Sequence, residues 1–162
     1  MEIKAKFVYG DHIDTDRIIP GKYTKTLDLN TLAAHVMEDL DPDFAASVVP
    51  GDIVVAGENF GCGSSREQAP VALRQAGVQL VIARYFARIF FRNAINIGLP
   101  VLEIPDHNIQ KNDLLFVDLP QNTVINLSQN IQYQVNPLPP VMLDILNKGG
   151  MVNYLKNNGK YI

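Results

Sequence analysis

The chain has 162 residues, 47% of them hydrophobic and 19% charged, with a formal net charge of −3. That is enough apolar material to close a core, which excludes intrinsic disorder, and the slight acidic excess argues against an electrostatic nucleic-acid binder. A single cysteine, Cys62, excludes an internal disulfide framework, a zinc site of several thiolates, and a four-cysteine iron–sulfur cluster held by this chain alone.

Ile3, Ala5 and Phe7 alternate with Lys4 and Lys6, which predicts one half-buried strand at the start. Residues 11–26 are polar and carry Pro20-Gly21, so they read as a long functional loop. Asn30 is the expected N-cap of a helix with Leu32, Val36 and Leu40 on one face, and Asp41-Pro42-Asp43 ends it and opens a short helix through Phe44 and Ala45. Ile53–Ala56 is a buried strand running into a glycine-rich turn. The helix after it must begin between Ser65 and Gln68, because Pro70 is tolerated only in a first turn, and Gly77 stops it. Val78–Ala83, a helix over Phe86–Ile97 and Pro100–Ile104 complete a β-α-β-α-β run, which implies right-handed crossovers and a partly parallel sheet. Strands over residues 114–118, 123–127 and 131–135 follow. Helices over Val141–Asn147 and Val152–Lys156 close the chain, separated by Gly149-Gly150.

No apolar run approaches the ~18 residues needed to cross a bilayer, and Met1–Lys6 lacks the apolar core of a secretory signal. Together with the lone thiol, this leads us to expect a cytoplasmic protein with no membrane partner.

The glycine-rich turn Gly57–Glu67 concentrates the chemistry. Glycines permit close backbone approach, serines follow at a helix mouth where free N–H groups favour an anion, and Arg66 adds a forked cation for a carboxylate or phosphate. The alternative is a plain strand-to-helix connection with Ser64 or Ser65 as its N-cap. The turn lacks the lysine of a phosphate-binding P-loop, the third glycine of a dinucleotide fingerprint and the Gly-x-Ser-x-Gly of a hydrolase elbow. Three aspartates in the first loop, Asp11, Asp14 and Asp16, either bind a hard cation or form ion pairs that fix the loop, but the spacing of a calcium loop is absent. Cys62 is a reactive thiol activated by the helix mouth or a small packing residue. His12 is a general acid or base or a structural side chain, and His35 and His107 read as structural or exposed. Arg84, Arg88 and Arg92 recur at i, i+4, i+8, to line an anionic pocket or to pair with carboxylates.

Three strings carry a resemblance. Gly57-Glu58-Asn59-Phe60-Gly61-Cys62-Gly63-Ser64-Ser65-Arg66-Glu67-Gln68-Ala69-Pro70 resembles the signature of the small subunit of 3-isopropylmalate dehydratase. So do Asp14-Thr15-Asp16-Arg17-Ile18-Ile19-Pro20-Gly21-Lys22-Tyr23 and Ala87-Arg88-Ile89-Phe90-Phe91-Arg92-Asn93-Ala94-Ile95-Asn96-Ile97-Gly98-Leu99-Pro100. They occur in the family's order, and the resemblance covers essentially the whole chain.

The resemblance implies an α/β fold: the three-layer β/β/α swivelling domain of the aconitase type, with mixed parallel and antiparallel sheets. It implies one such domain over residues 1–162, with a C-terminal helical extension from about 140 to 162. It also implies a heteromeric hydro-lyase of leucine biosynthesis that isomerises 2- and 3-isopropylmalate by dehydration and rehydration. The partner would be a large subunit carrying a 4Fe–4S cluster, with no cofactor or metal bound by this chain alone. The ligand would be a small hydroxy-dicarboxylate, with no nucleic acid bound, and the isolated chain is open to homo-oligomer formation. Carried over by motif, Ser64 is the catalytic base, Arg66 anchors a substrate carboxylate and Ser65 adds a hydrogen bond. Thr24 and Lys25 fall in the segment that touches the variable substituent. An isopropyl group wants an apolar neighbour, whereas a third carboxylate wants a cation such as Lys25, so homoaconitase or another substituted-malate dehydratase is the alternative.

Overall fold

Ile53, Val54 and Val55, all four residues of Leu80–Ala83, and Val101 with Leu102 are fully buried, odd and even positions alike. Strands buried on both faces need cover on both sides, as in a parallel sheet served by crossover helices. The computed structural model describes residues 1–158. In chain order the elements are β1 (Glu2–Lys4), β2 (Phe7–Val8), α1 (Thr15–Ile18), α2 (Leu29–His35), α3 (Phe44–Ser47), β3 (Ile53–Val55), α4 (Gln68–Ala76), β4 (Leu80–Ala83), α5 (Arg88–Asn96), β5 (Val101–Glu103), β6 (Leu114–Asp118), β7 (Thr123–Asn126), β8 (Ile131–Tyr133), α6 (Pro140–Asn147) and α7 (Met151–Asn158).

The strands form two four-stranded sheets. One is parallel, in the order β2-β3-β4-β5, and the other antiparallel, in the order β1-β6-β7-β8. The expected β-α-β-α-β run is the heart of the parallel sheet, in register Val54 with Val81 and Ile82 with Leu102. Helices α4 and α5 contribute Leu73, Phe90, Ala94 and Ile95 to the same core. In β6 and β7 burial alternates along the strand, so the antiparallel sheet has one packed face and one wet face. Parallel and antiparallel sheets accompanied by helices are the mixed α/β architecture expected from the sequence.

Four local expectations need correction. The predicted first strand is two strands in two sheets: β1 pairs with β6, and β2 pairs with β3. The chain changes sheets at Ala5–Lys6, where Ala5 exchanges backbone bonds with Asp113 and Asn112 and Lys6 N donates to Lys4 O. Helix α2 is capped by Asp28 rather than Asn30, because the Asp28 carboxylate accepts from Asn30 N at 3.0 Å and from Thr31 Oγ1 at 2.8 Å. The same helix stops at His35 and does not reach Leu40. Met37 takes a left-handed φ of 62° and donates its N–H to Ile18 O. Arg84, read with Arg88 and Arg92 as one helical series, lies before α5 and not on it.

The amide-rich stretch from Gln121 to Asn136 does form strands. Buried Asn126 ties them together, donating to Asp113 at 2.7 Å and Tyr133 Oη at 3.2 Å and accepting from Gln129 N. After β8 the chain forms helices α6 and α7 as far as Asn158; residues 159–162 of the extension lie outside the described residues. Among the described residues, no helix is long and apolar enough to cross a membrane.

His107, buried after β5, locks the end of β3. Its Nε2–H donates to Ala56 O at 2.7 Å, while Arg84 donates to the His107 carbonyl at 3.0 Å. Burial holds this imidazole below its ordinary value of 6.5; the Ala56 bond opposes that shift and the charge of Arg84 adds to it. The unfolded chain therefore takes up the proton first as pH falls, and stability is lost from 6.5 downward through the lowered native value. Urea unfolding from about pH 7 to about pH 5 is expected to show this loss, and His107→Gln is expected to flatten it. An identical slope in wild type and variant would remove His107 as its source.

Candidate active site

The site is built where two parallel strands end side by side. Beyond β2 and β3 the backbones continue to pair: Tyr9 N donates to Val55 O at 2.8 Å and Gly57 N to Gly10 O at 3.0 Å. His12 N then donates to Glu58 O, Gly61 N to Ile13 O and Thr15 N to Cys62 O, each at 2.8 Å. Ligand sites in open α/β sheets lie beyond the carboxyl ends of strands, and both site loops leave from that edge. The pairing brings the backbones unusually close. A Cβ on Gly57 would sit 1.8 Å from Asp11 Oδ1, the oxygen that accepts from Glu58 N at 2.7 Å. Gly61, at φ +80°, leaves room for the Phe90 ring, 2.3 Å from where its Cβ would be. Phe60, between these glycines, is fully buried edge-on to Phe86 and Phe90.

This scaffold delivers Ser64. Its carbonyl accepts from Thr15 Oγ1 at 3.0 Å and from Arg66 N at 2.9 Å, so the backbone is held on both sides. Ser64 and Ser65 are exposed, and neither hydroxyl bonds to a described residue. The N–H groups of Gly63, Ser64 and Ser65 likewise donate to no described residue. Helix α4 starts only at Gln68 with Glu67 in the cap position, so neither serine is spent as an N-cap. The plain connection with a serine cap is thereby overturned, and the turn keeps free donors and hydroxyls.

Arg66 reaches back to Asp16, with its guanidinium over Gly21. Gln68 Nε2 donates to Thr24 O at 3.0 Å, so the turn at residues 21–24 docks on the start of α4. Thr24 Oγ1 donates to Gly21 O at 2.8 Å. Lys25, next along, is exposed and forms no ion pair with a described residue. The structure thus gathers Ser64, Ser65, Arg66 and the Thr24 turn on one edge, with Lys25 beside them.

Residues 42–107 match the family described as the aconitase C-terminal domain. The 3-isopropylmalate dehydratase small subunit of Thermodesulfovibrio yellowstonii is 48% identical over 159 residues, covering 96% of this chain and 95% of that one. This chain belongs to the 3-isopropylmalate dehydratase small-subunit family. Its relative from Clostridium beijerinckii is 52% identical over 160 residues, covering 97% and 99%. A crystal structure of 3-isopropylmalate dehydratase from Methanocaldococcus jannaschii has a TM-score of 0.90 at 44% identity, covering 98% of this chain and 96% of that one. A methanogen homoaconitase small subunit from Methanothermobacter thermautotrophicus is 54% identical over 149 residues, covering 91% and 87%. Identity of this order therefore accompanies two different substrate names.

Within this family member the three aspartates of the first loop have separate tasks. Asp11 holds Glu58 N, Asp14 caps α1 by accepting from Arg17 N at 2.9 Å, and Asp16 holds Arg66. A backbone contact across the two loops, a helix cap and an ion pair account for the three side chains. Among the described residues no three His, Cys, Asp or Glu side chains converge to hold a metal ion. With one cysteine, the chain does not fit an iron–sulfur cluster.

The Cys62 thiol is pushed up by burial and then by the charge of Asp14. That reverses the activation expected from a helix mouth. No histidine bonds to either serine: His12 Nδ1 lies 3.4 Å from Asn59 Nδ2, and His35 stacks on Tyr23 at 3.9 Å and meets Glu38 at 2.7 Å. Sequence reasoning missed Thr15 and Gln68 as site-builders. Their partners lie 49 and 44 residues away, so no local pattern marks them.

Gly61→Ala should cost about 2–4 kcal/mol in urea unfolding, from a left-handed backbone and overlap with Phe90. Gly10→Ala, with nothing within 4 Å, should be near neutral. Equal midpoints for the two variants would mean that Gly61 does not set the loop's path.

Proposed function

We propose that this chain is the small subunit of a heteromeric hydro-lyase that interconverts 2- and 3-isopropylmalate by removing and re-adding water. The carrying observation is Ser64: a hydroxyl bonded to no described residue, on a backbone gripped by Thr15 and Arg66, two residues before an arginine whose guanidinium Asp16 holds. The sequence likeness to named small subunits supports the same reading.

In this reading the Ser64 oxygen removes the proton from the carbon next to a substrate carboxylate as the neighbouring hydroxyl departs, and returns it during rehydration. A serine hydroxyl is a poor base in water. Its anion is favoured here by the unspent N–H groups of Gly63, Ser64 and Ser65 and by the positive charge of Arg66. A guanidinium has five donors, so Arg66 grips a substrate carboxylate with one edge while Asp16 keeps its orientation with the other. The Ser65 hydroxyl donates to the same carboxylate.

Exposed serines need a cover that excludes water during proton transfer, and a large subunit fills that role. A 4Fe–4S cluster, for which this chain lacks the thiolates, belongs to that subunit and supplies Lewis acidity toward the departing hydroxyl.

Homoaconitate is the second reading, because Lys25 offers a third carboxylate a cation that pairs with no described residue. Leu27, 95% exposed two residues on, offers an isopropyl group the apolar neighbour it needs.

With the large subunit and a reconstituted cluster, Ser64→Ala should lower kcat roughly 10²–10⁴-fold while the unfolding midpoint stays put. Undiminished turnover would remove Ser64 from its role. A panel of isopropylmalate, homoaconitate and citrate on wild type and Lys25→Val tests the loop: preference should move toward isopropylmalate, and unchanged ratios would clear Lys25 of substrate choice.

A further inference from the structure

A second cluster lies on the same edge as the serines, outside the proposed chemistry. A cavity of about 520 Å³ opens between the start of α5 and α6, walled by Phe86, Phe91 and Met142 and bordered by Arg88 and Arg92. The two arginines are one helical turn apart on α5, and both are exposed. Neither guanidinium bonds to any described residue, whereas Lys6, Lys22 and Arg66 each have a carboxylate. The nearby Glu103 is already engaged by Phe86 N at 3.2 Å and Asn136 Nδ2 at 3.1 Å. Tyr85 and Ile89, 45% and 51% exposed, extend the apolar surface. In a chain of net charge −3, this is a patch of positive charge around an apolar hole. Tyrosine, arginine, phenylalanine and methionine are the residue types enriched at the centres of protein interfaces.

The patch is rigidly continuous with the serine turn. Phe60 N donates to Tyr85 O at 3.0 Å, Ala87 N donates to Phe60 O at 2.9 Å, and Phe60 packs edge-on to Phe86. A partner that covers Ser64 meets this surface next.

We infer that this cavity is the seat of the large subunit: an apolar side chain of the partner fills the hole, and carboxylates flanking it pair with Arg88 and Arg92. The inference rests on the heteromeric reading above and adds to it where the partner docks and by what chemistry.

The test is the affinity of the chain for its cluster-loaded large subunit, by calorimetric titration at low and at high salt. Arg88→Glu/Arg92→Glu should weaken association at least about 30-fold and reduce its salt sensitivity. Turnover should return when the large subunit is in excess. Lys4→Glu/Lys111→Glu, an equal charge change at exposed positions away from this cavity, should stay within about twofold. Ile89→Ser should weaken binding without changing charge, and the melting temperature of each free chain checks its fold.

Equal losses in the two double variants, or none in the arginine pair, overturn the inference. So does an arginine pair that only dissociates copies of this chain from one another. A wild-type chain that never binds the large subunit defeats both readings. Full turnover in Ser64→Ala defeats the proposed chemistry and leaves the docking result to be read from affinity alone.

Discussion

The backbones that follow β2 and β3 keep pairing after the strands end, and the positions of Ser64, Ser65 and Arg66 depend on that contact. Each backbone bond adds only about 0.5–1.5 kcal/mol net, but together they dictate a separation that side chains would prevent. Gly57 admits the Asp11 carboxylate and Gly61 admits the Phe90 ring. A methyl group at either place would push the loops apart and carry Ser64 with them. Core packing around Phe60 and the placement of the serine are thus one constraint, so Ser64 sits on a rigid element and not on a free loop.

Polar groups are distributed unevenly around this constraint. Among the described residues, no buried side-chain nitrogen or oxygen lacks a hydrogen-bond partner. The serine turn, by contrast, keeps two hydroxyls and three N–H groups unspent where water or a ligand can reach them. The Asp16–Arg66 pair is partly exposed, and such pairs contribute about 0–1 kcal/mol to stability. Its consequence is to aim the guanidinium. Burial and the charge of Asp14 push the Cys62 thiol up, which disfavours a thiolate two residues before the Ser64 hydroxyl.

Much of the fold was legible in the residues. Val78–Ala83 and Pro100–Ile104 are short apolar runs, each preceded by a glycine stop, a pattern that fits strands covered on both faces. The loop strings around Ser64 and Asp14 pointed to the site and to the family. Other features left no local mark. Ile3, Ala5 and Phe7 alternate smoothly across a change of sheet, because alternation records which side is buried and not which strand is the neighbour. Asn30 and the two serines were plausible caps by type, and the helices chose Asp28 and Glu67. Arg84 shares the spacing of Arg88 and Arg92 but belongs to the His107 clamp.

By itself the sequence determined the periodic elements, the close-approach glycines and the polar groups of the two site loops, since these depend on neighbours within a few residues. Only the tertiary structure decided which groups are spent and which are free. Thr15 grips Ser64 from 49 residues away and Asp16 aims Arg66 from 50. Contacts at that separation are set by the register of two parallel strands, and no pattern within either segment encodes the register of the other.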